Sequence, residues 1–271
     1  MKGDIIQMEG SMIVIEGLDG CGKHTQSELL LSNLNKRLLK TDIELIDFPR
    51  HGKTSFYTGD AYLKGEFGSD PNLVDSYLGS LFYATDRGIS YKTEKWGTVY
   101  NNGGIVICDR YTTSNIFHQG SKFATKPKYM NPSLIVKDIY DNLKFREYIH
   151  WLYDLEFNKL RLPIPNLIVV LEAPEQANVR MLINRRTVNG KYIKFHDDIH
   201  ENNHEYLTRC RAAQEAYKMI VLDNEGEFVF ERRRIRIPHA FISVTDNLGN
   251  IRTKESINEE IISKIMYYGL V

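Results

Sequence analysis

Apolar residues in this chain follow two rhythms. Short β-branched runs, each closed by a polar residue, glycine or proline, read as buried strands. These are Met12-Ile13-Val14-Ile15 before Glu16-Gly17, Ile43 to Phe48 before Pro49, Gly104 to Cys108 before Asp109, Asn166 to Leu171, and Phe241 to Val244. Between them, apolar spacings of three and four predict helices. One runs from about Lys23 to Leu39, with Leu30, Leu34 and Leu38 on a face joined by Leu31. One or two fill Ile135 to Leu160, before Pro163 and Pro165 break the chain; another spans about Pro174 to Arg186. A long helix ends near Met219, and a last one carries Ile257, Ile261, Ile262 and Ile265. The clearest helical period lies at 74–87, where Val74, Tyr77, Leu78, Leu81, Phe82 and Thr85 form one stripe behind a Ser69-Asp70-Pro71 start signal.

Strands alternate with helices, and most strands lack a polar face. That order predicts an α/β fold: a doubly wound parallel sheet with helices on both faces. With 271 residues, 42% of them hydrophobic, the chain builds one full-sized core, and a second domain would be cramped. The expected organisation is a single domain over 1–271, with a short leader at 1–11 and a mobile lid at about 184–200. An insertion at 220–238 fits the order poorly; it is either a solvated hairpin or loop, or a basic contact surface around Arg232-Arg233-Arg234. Lys+Arg and Asp+Glu number 35 each, so nothing global points to nucleic acid or a membrane surface, and a basic phosphate site must be built locally. Met1 to Ser11 carries Lys2, Asp4 and Glu9 and no long apolar run, unlike a signal peptide or membrane span. Cys21, Cys108 and Cys210 have no metal-like spacing and read as reduced thiols in a cytoplasmic protein.

The most specific chemical signal is Gly17-Leu18-Asp19-Gly20-Cys21-Gly22-Lys23, which fits G-x-x-x-x-G-K between a predicted strand and a predicted helix. Glycines let successive backbone N–H groups turn inward around phosphate oxygens. The helix N-terminus adds partial positive charge, and Lys23 reaches the β and γ oxygens. The pattern normally continues with Ser or Thr, whose hydroxyl meets Mg²⁺. Here His24 follows, then Thr25. A neutral imidazole is a poor ligand for a hard cation, so either Thr25 substitutes or other groups hold the metal. Asp109-Arg110-Tyr111 ends a predicted parallel strand, at the edge where such sheets bind ligands. Arg110 offers a planar fork that matches a phosphate monoester, and Arg50, after the second strand, would open on the same edge; each has a surface salt bridge as its plain alternative.

With these segments together, the chain resembles the thymidylate kinases. The resemblance rests, in order, on residues 17–26, Phe48-Pro49-Arg50, Leu81 to Arg87, Asp109 through Asn115 to His118-Gln119-Gly120, and Leu162 to Leu167. It implies ATP as donor with Mg²⁺, dTMP as acceptor, a P-loop NTPase-type fold, and a homodimer. It implies that Arg50 and Arg110 contact the acceptor phosphate, that Asp109 supports Mg²⁺ or its water shell, and that Asp19 bonds the acceptor 3′-hydroxyl. A structural hydrogen bond to Lys23 or Thr25 is the plain alternative for Asp109. Tyr111 would lie beneath the sugar, Tyr83 would stack on the base, and Arg87 would bond a base carbonyl. Ser114, Asn115 and Gln119 would meet the polar edge of the base or, failing that, cap a helix.

Some members of that family carry an arginine in the phosphate loop; this chain has none after Asp19. The resemblance then moves the charge to the lid, where Arg185 or Arg186 would stabilise the transferring group and Arg180 would touch adenine. The same segment holds Lys191 and Lys194. The family's acidic-Arg-aromatic-Glu run stands here as Asp198-Ile199-His200-Glu201. The resulting expectation is a nucleoside-monophosphate kinase acting on dTMP. A kinase for another acceptor, or a nucleotide-binding regulator without turnover, remain the rivals.

Overall fold

The computed structural model describes residues 9–68, 70, 74–125, 131–188, 191–192, 204–230 and 233–271. In chain order it contains β1 (Ser11–Glu16), α1 (Lys23–Arg37), β2 (Ile43–Asp47), α2 (Tyr57–Leu63), α3 (Ser76–Thr93), α4 (Lys95–Asn101), β3 (Ile105–Asp109) and α5 (Thr112–His118). Then come α6 (Pro132–Asp141), α7 (Leu143–Tyr153), β4 (Leu167–Glu172), α8 (Glu175–Arg186), β5 (Thr187–Val188) and β6 (Lys191–Tyr192). The chain continues through α9 (His204–Asp223), β7 (Glu227–Phe230), β8 (Arg233–Arg236), β9 (His239–Ser243) and α10 (Lys254–Tyr267).

The five strands expected from the sequence pair as one parallel sheet in the order β2-β3-β1-β4-β9. Alternation along each strand divides the core between two faces. Met12 and Val14 of β1 pack with Val106, Ile168 and Val170 against the layer that holds α5, α6, α7 and α9. Ile13 and Ile15 pack with Ile107, Val169 and Leu171 against α1 and α10. This is the doubly wound arrangement, and it explains why these strands read as unbroken apolar runs. The strand ends matter more for the site. Ile15 pairs with Asp109, and Asp47 pairs with Asp109, so β1, β2 and β3 finish level with one another. Glu16, Asp47, Asp109 and Glu172 close β1 to β4, placing four carboxylates along the carboxyl edge of the sheet.

Helix α3 and the lid differ from expectation. The apolar stripe of 74–87 faces the core only in part: Val74 is buried and Tyr77 and Phe82 pack against core clusters, but its leucines turn outward. Helix α3 begins at Ser76, capped by Asp75, whose side chain accepts from the amides of Tyr77 and Leu78. Its buried side is made of Ser76, Gly79, Ser80, Ala84, Asp86, Arg87 and Ser90, while Leu78, Leu81 and Ile89 are 49%, 40% and 43% exposed. Small residues are needed there because the neighbours sit close: Ser80 Oγ lies 2.6 Å from the Tyr148 hydroxyl, and a Cβ on Gly79 would meet Gln119 Oε1 at 2.4 Å. Part of the hydrophobic period, Leu78 and Leu81, therefore lies on the outer face.

Within 220–238, α9 runs on to Asp223 and β7 pairs antiparallel with β8, which supports the hairpin alternative. Phe228, Ile235 and Ile237 are buried, and Arg234 and Arg236 face out onto Glu227 and Glu225. Arg232 lies outside the described residues. In the lid, β5 and β6 form a short antiparallel ladder where no regular element was expected. Lys194 and the run 198–201 lie outside the described residues, as do residues 1–8 of the leader. Glu9 and Gly10 are described, and β1 already starts at Ser11, the last residue assigned to the leader.

Candidate active site

The turn between β1 and α1 has the shape its glycines require. Gly17 lies at φ +140°, and a Cβ there would come within 2.7 Å of the Leu171 carbonyl oxygen. Gly22, at φ 92° in the left-handed region, is the residue from which α1 departs. The first-turn amides of α1 have no carbonyl of their own helix to satisfy them, which is the basis of an anion site. Lys23 is buried beneath the loop, with Nζ 2.8 Å from the Leu18 carbonyl oxygen.

The loop opens on a cavity of about 680 Å³. Asp19, Gly20, Gly22, Lys23, His24 and Thr25 line it from the loop side. Phe48, Pro49, Tyr83 and Arg87 line it from across the cleft, and Asp109, Arg110, Tyr111, Ser114 and Asn115 form its floor. The structure thus gathers sequence-predicted residues from four segments. Gly17 supports the turn from below. Leu18 and Cys21 line a separate cavity of about 320 Å³ behind the loop, with Glu172, Arg211 and Lys218.

Arg110 and Asp19 form an ion pair across the mouth of the loop. Burial would raise the Asp19 carboxyl, but the guanidinium of Arg110 and the ammonium of Lys23 overcome it and hold Asp19 well below the usual carboxylate range. Burial likewise opposes the charge on Arg110, and Asp19, Asp109 and Glu16 restore it. The two residues assigned to the 3′-hydroxyl and the acceptor phosphate therefore begin as partners of one another.

Besides Gly17, Leu18 and Cys21, three expected positions fall outside the cavity lining: Arg50, Gln119 and Arg180. Arg50 turns to Glu94 and Asp47, at 2.8 and 2.7 Å, because those carboxylates flank its side chain on the outer side of the second strand. Gln119 is fully buried, with Oε1 accepting from Lys122 Nζ at 2.6 Å. Arg180 lies on the exposed side of α8, whereas its neighbour Met181 reaches the cavity. Arg185 and Arg186 close α8, and their side chains lie outside the described part.

On the opposite wall the side chains are held by their surroundings. Tyr111 is buried; its hydroxyl donates to the Pro163 carbonyl at 3.1 Å, and its ring lies 6.1 Å from Phe48. The Phe48–Pro49 peptide is cis. Tyr83 packs on Phe56 at 5.1 Å, and Asn115 Nδ2 donates to the Ser80 carbonyl at 3.3 Å. Arg87 forms a bidentate pair with Glu156 and still borders the cavity.

A divalent cation fits this edge. Asp109 Oδ1 is buried without a hydrogen-bond partner among the described residues, and Thr25 lines the same cavity. His24 lies beside Asp109, Nδ1 to Oδ2 3.5 Å, with its other nitrogen 3.4 Å from Glu28. Among the described residues no cluster of three His, Cys, Asp or Glu side chains is placed to hold a metal. One carboxylate completed by phosphate oxygens and water is how Mg²⁺ is usually held in nucleotide sites.

Comparison with known proteins agrees with this geometry. The thymidylate kinase family profile matches residues 15–134. A probable thymidylate kinase of Methanosarcina barkeri is 30% identical over 148 residues, 55% of this chain and 66% of that protein. A probable thymidylate kinase of Pyrobaculum aerophilum is 26% identical over 220 residues, 81% of this chain and 92% of its own. The family profile and these relatives point to the thymidylate kinase family. In fold, the chain superposes on the thymidylate kinase of Candida albicans with a TM-score of 0.58, covering 97% of this chain and 93% of that one at 17% identity.

Several residues at the site carried no separate sequence signal. Asp47, His51, Leu63, His118 and Met181 also line the cavity. His118 stands within the quoted 109–120 segment, so that motif was its one pointer; burial pushes its imidazole down to about 4. Glu156 lies in a π-helical turn, Asp154–Lys159, which no sequence pattern announced. Among the described residues no helix is long and apolar enough to cross a membrane.

Proposed function

We propose that this chain is an ATP-dependent kinase that transfers the γ-phosphate of ATP to dTMP, giving dTDP. The reading rests chiefly on one observation: the phosphate loop and Arg110 leave adjacent, level strand ends and face one cavity. The loop takes the triphosphate, and Arg110 takes the acceptor phosphate once that ligand competes with Asp19. No general base is required, because the acceptor oxygen is already anionic at neutral pH. Rate enhancement comes from positioning and charge neutralisation.

Charge along the lining supports two further parts of the reading. Among the described lining residues, Lys23, Arg87 and Arg110 are balanced by Asp19, Asp47 and Asp109, leaving no surplus for two phosphorylated ligands. Additional positive charge must be imported. Asp109 and Thr25 would hold Mg²⁺, which when bound offsets phosphate charge. Arg185 and Arg186 would supply the rest from the lid at about 184–200.

The same proposal takes 1–271 as a single kinase domain working in the cytoplasm as a homodimer. The exposed apolar ridge of Leu78, Leu81 and Ile89 on α3 supports a self-association face. The test of function is a panel of nucleosides and nucleoside monophosphates, with ADP formation followed. Turnover highest with dTMP is expected. Tight ATP binding with no product from any acceptor would overturn the reading in favour of a regulator.

A further inference from the structure

Arg110 has a backbone conformation that its residue type disfavours. Its φ is 69°, in the left-handed region, and it is not glycine. Something must hold that turn. On one side the Arg110 amide donates to the Ile15 carbonyl at 3.0 Å, continuing the pairing of β1 with β3. On the other side stands Glu16, the last residue of β1, fully buried and absent from the cavity lining. Its Oε1 accepts from the amides of Tyr111 at 2.8 Å and Ser114 at 3.0 Å. Its Oε2 accepts from Ser114 Oγ at 2.8 Å and, at 3.4 Å, from the amide of Gly17. One carboxylate thus ties the residues on the C-terminal side of Arg110 to the first glycine of the phosphate loop.

We infer that Glu16 is a positioning residue for acceptor binding: it fixes the 110–114 turn so that the Arg110 guanidinium faces the acceptor phosphate. The inference rests on the dTMP-kinase reading above. Glu16 touches no reacting atom, and its acceptor capacity is used by the turn and the loop. A side chain that merely filled space would need none of these four contacts. A buried carboxylate is costly unless hydrogen-bonded, and here each contact lands on the turn that carries Arg110 or on the loop beside it.

The experiment compares KM for dTMP, KM for ATP and kcat in Glu16→Ala, Glu16→Gln, Arg110→Ala and the Glu16→Ala/Arg110→Ala double variant, with thermal melting as a check on folding. Glu16→Ala is expected to raise the dTMP KM about 10-fold or more while moving the ATP KM less than about 3-fold. Glu16→Gln, whose amide oxygen still accepts both amides, is expected to restore the dTMP KM to within about 3-fold of the parent. In the Arg110→Ala background, adding Glu16→Ala is expected to change it less than about 2-fold, because the residue being positioned is gone. If Glu16→Ala does not fold, Glu16→Asp carries the same test: it keeps the charge and is one methylene too short. Equal rises in both KM values, or an undiminished effect without Arg110, would overturn the positioning role alone. No dTMP turnover by the parent chain would overturn the function, and this inference with it.

Discussion

Arg87 and Glu156 meet inside the protein as a two-pronged ion pair, Nε to Oε2 at 2.7 Å and Nη2 to Oε1 at 2.6 Å, with side chains 2% and 0% exposed. Glu156 also accepts from Thr112 Oγ1 at 2.7 Å, and the guanidinium stands 5.8 Å from the centre of the Tyr111 ring. This one pair therefore joins α3, the start of α5 and the π-helical turn around the acceptor side of the cavity. Removing one partner strands a charge in a dry site, at a cost of about 3–5 kcal/mol. Glu156→Ala should lower the urea unfolding free energy by that order. A loss below about 1 kcal/mol would show that water reaches Arg87 freely.

Transfer of the γ-phosphate needs positive charge that the described cavity does not hold in excess. The lid arginines are the nearest source in sequence. Replacing Arg185 and Arg186 by alanine, one at a time, should lower kcat by at least about 10-fold in one case, with little change in ATP affinity. Parent-like kcat in both variants would remove lid arginines from the reaction.

What was legible in the sequence follows from physics that acts locally. Met12 to Ile15 announced a central strand because a strand covered on both faces tolerates only apolar residues. Gly17 and Gly22 announced the loop because few other residues fit those backbone angles. Arg50, Gln119 and Arg180 stand away from the cavity lining because a motif shows where a residue sits along the chain, not which neighbour takes its side chain. Glu94, for instance, claims Arg50 from forty-four residues away. Helix α3 misled for a related reason: its inner face uses Ser76, Gly79 and Ser80 for close approach, which hydrophobicity does not register, while Leu78 and Leu81 lie outside. Glu156 had no signal, since its partners are Thr112 and Arg87, and no local spacing encodes such distant contacts.

All three cysteines are buried, and burial pushes each thiol up, Cys210 to about 12. Thiolate is the reactive form, so native thiols should be silent. With a thiol-exchange reagent near pH 8, the folded protein should show well under one equivalent of rapid labelling, and strong denaturant should release three. Fast labelling of one native cysteine would place Cys21, beside the phosphate loop, under suspicion first, and protection by ATP would identify it.

His239 gives the fold a dependence on acid. Its Nδ1 lies 2.7 Å from the Ile237 carbonyl and donates to it, which leaves Nε2 to accept from the Tyr217 hydroxyl at 2.8 Å. Burial lowers this imidazole from 6.5 to about 4. As pH falls below 6.5, the unfolded chain takes up the proton before the folded chain does. The contribution to stability is therefore complete above 6.5 and is lost on descending to about 4. His118 shifts the same way for the same reason, so it adds to the slope. Replacing His239 by glutamine keeps a donor and an acceptor but removes the titration. That variant should lose roughly 1–3 kcal/mol less than the parent across this window in urea unfolding, while starting from lower stability at neutral pH. Parallel curves for parent and variant would mean that His239 is protonated as readily in the folded protein as in the unfolded one.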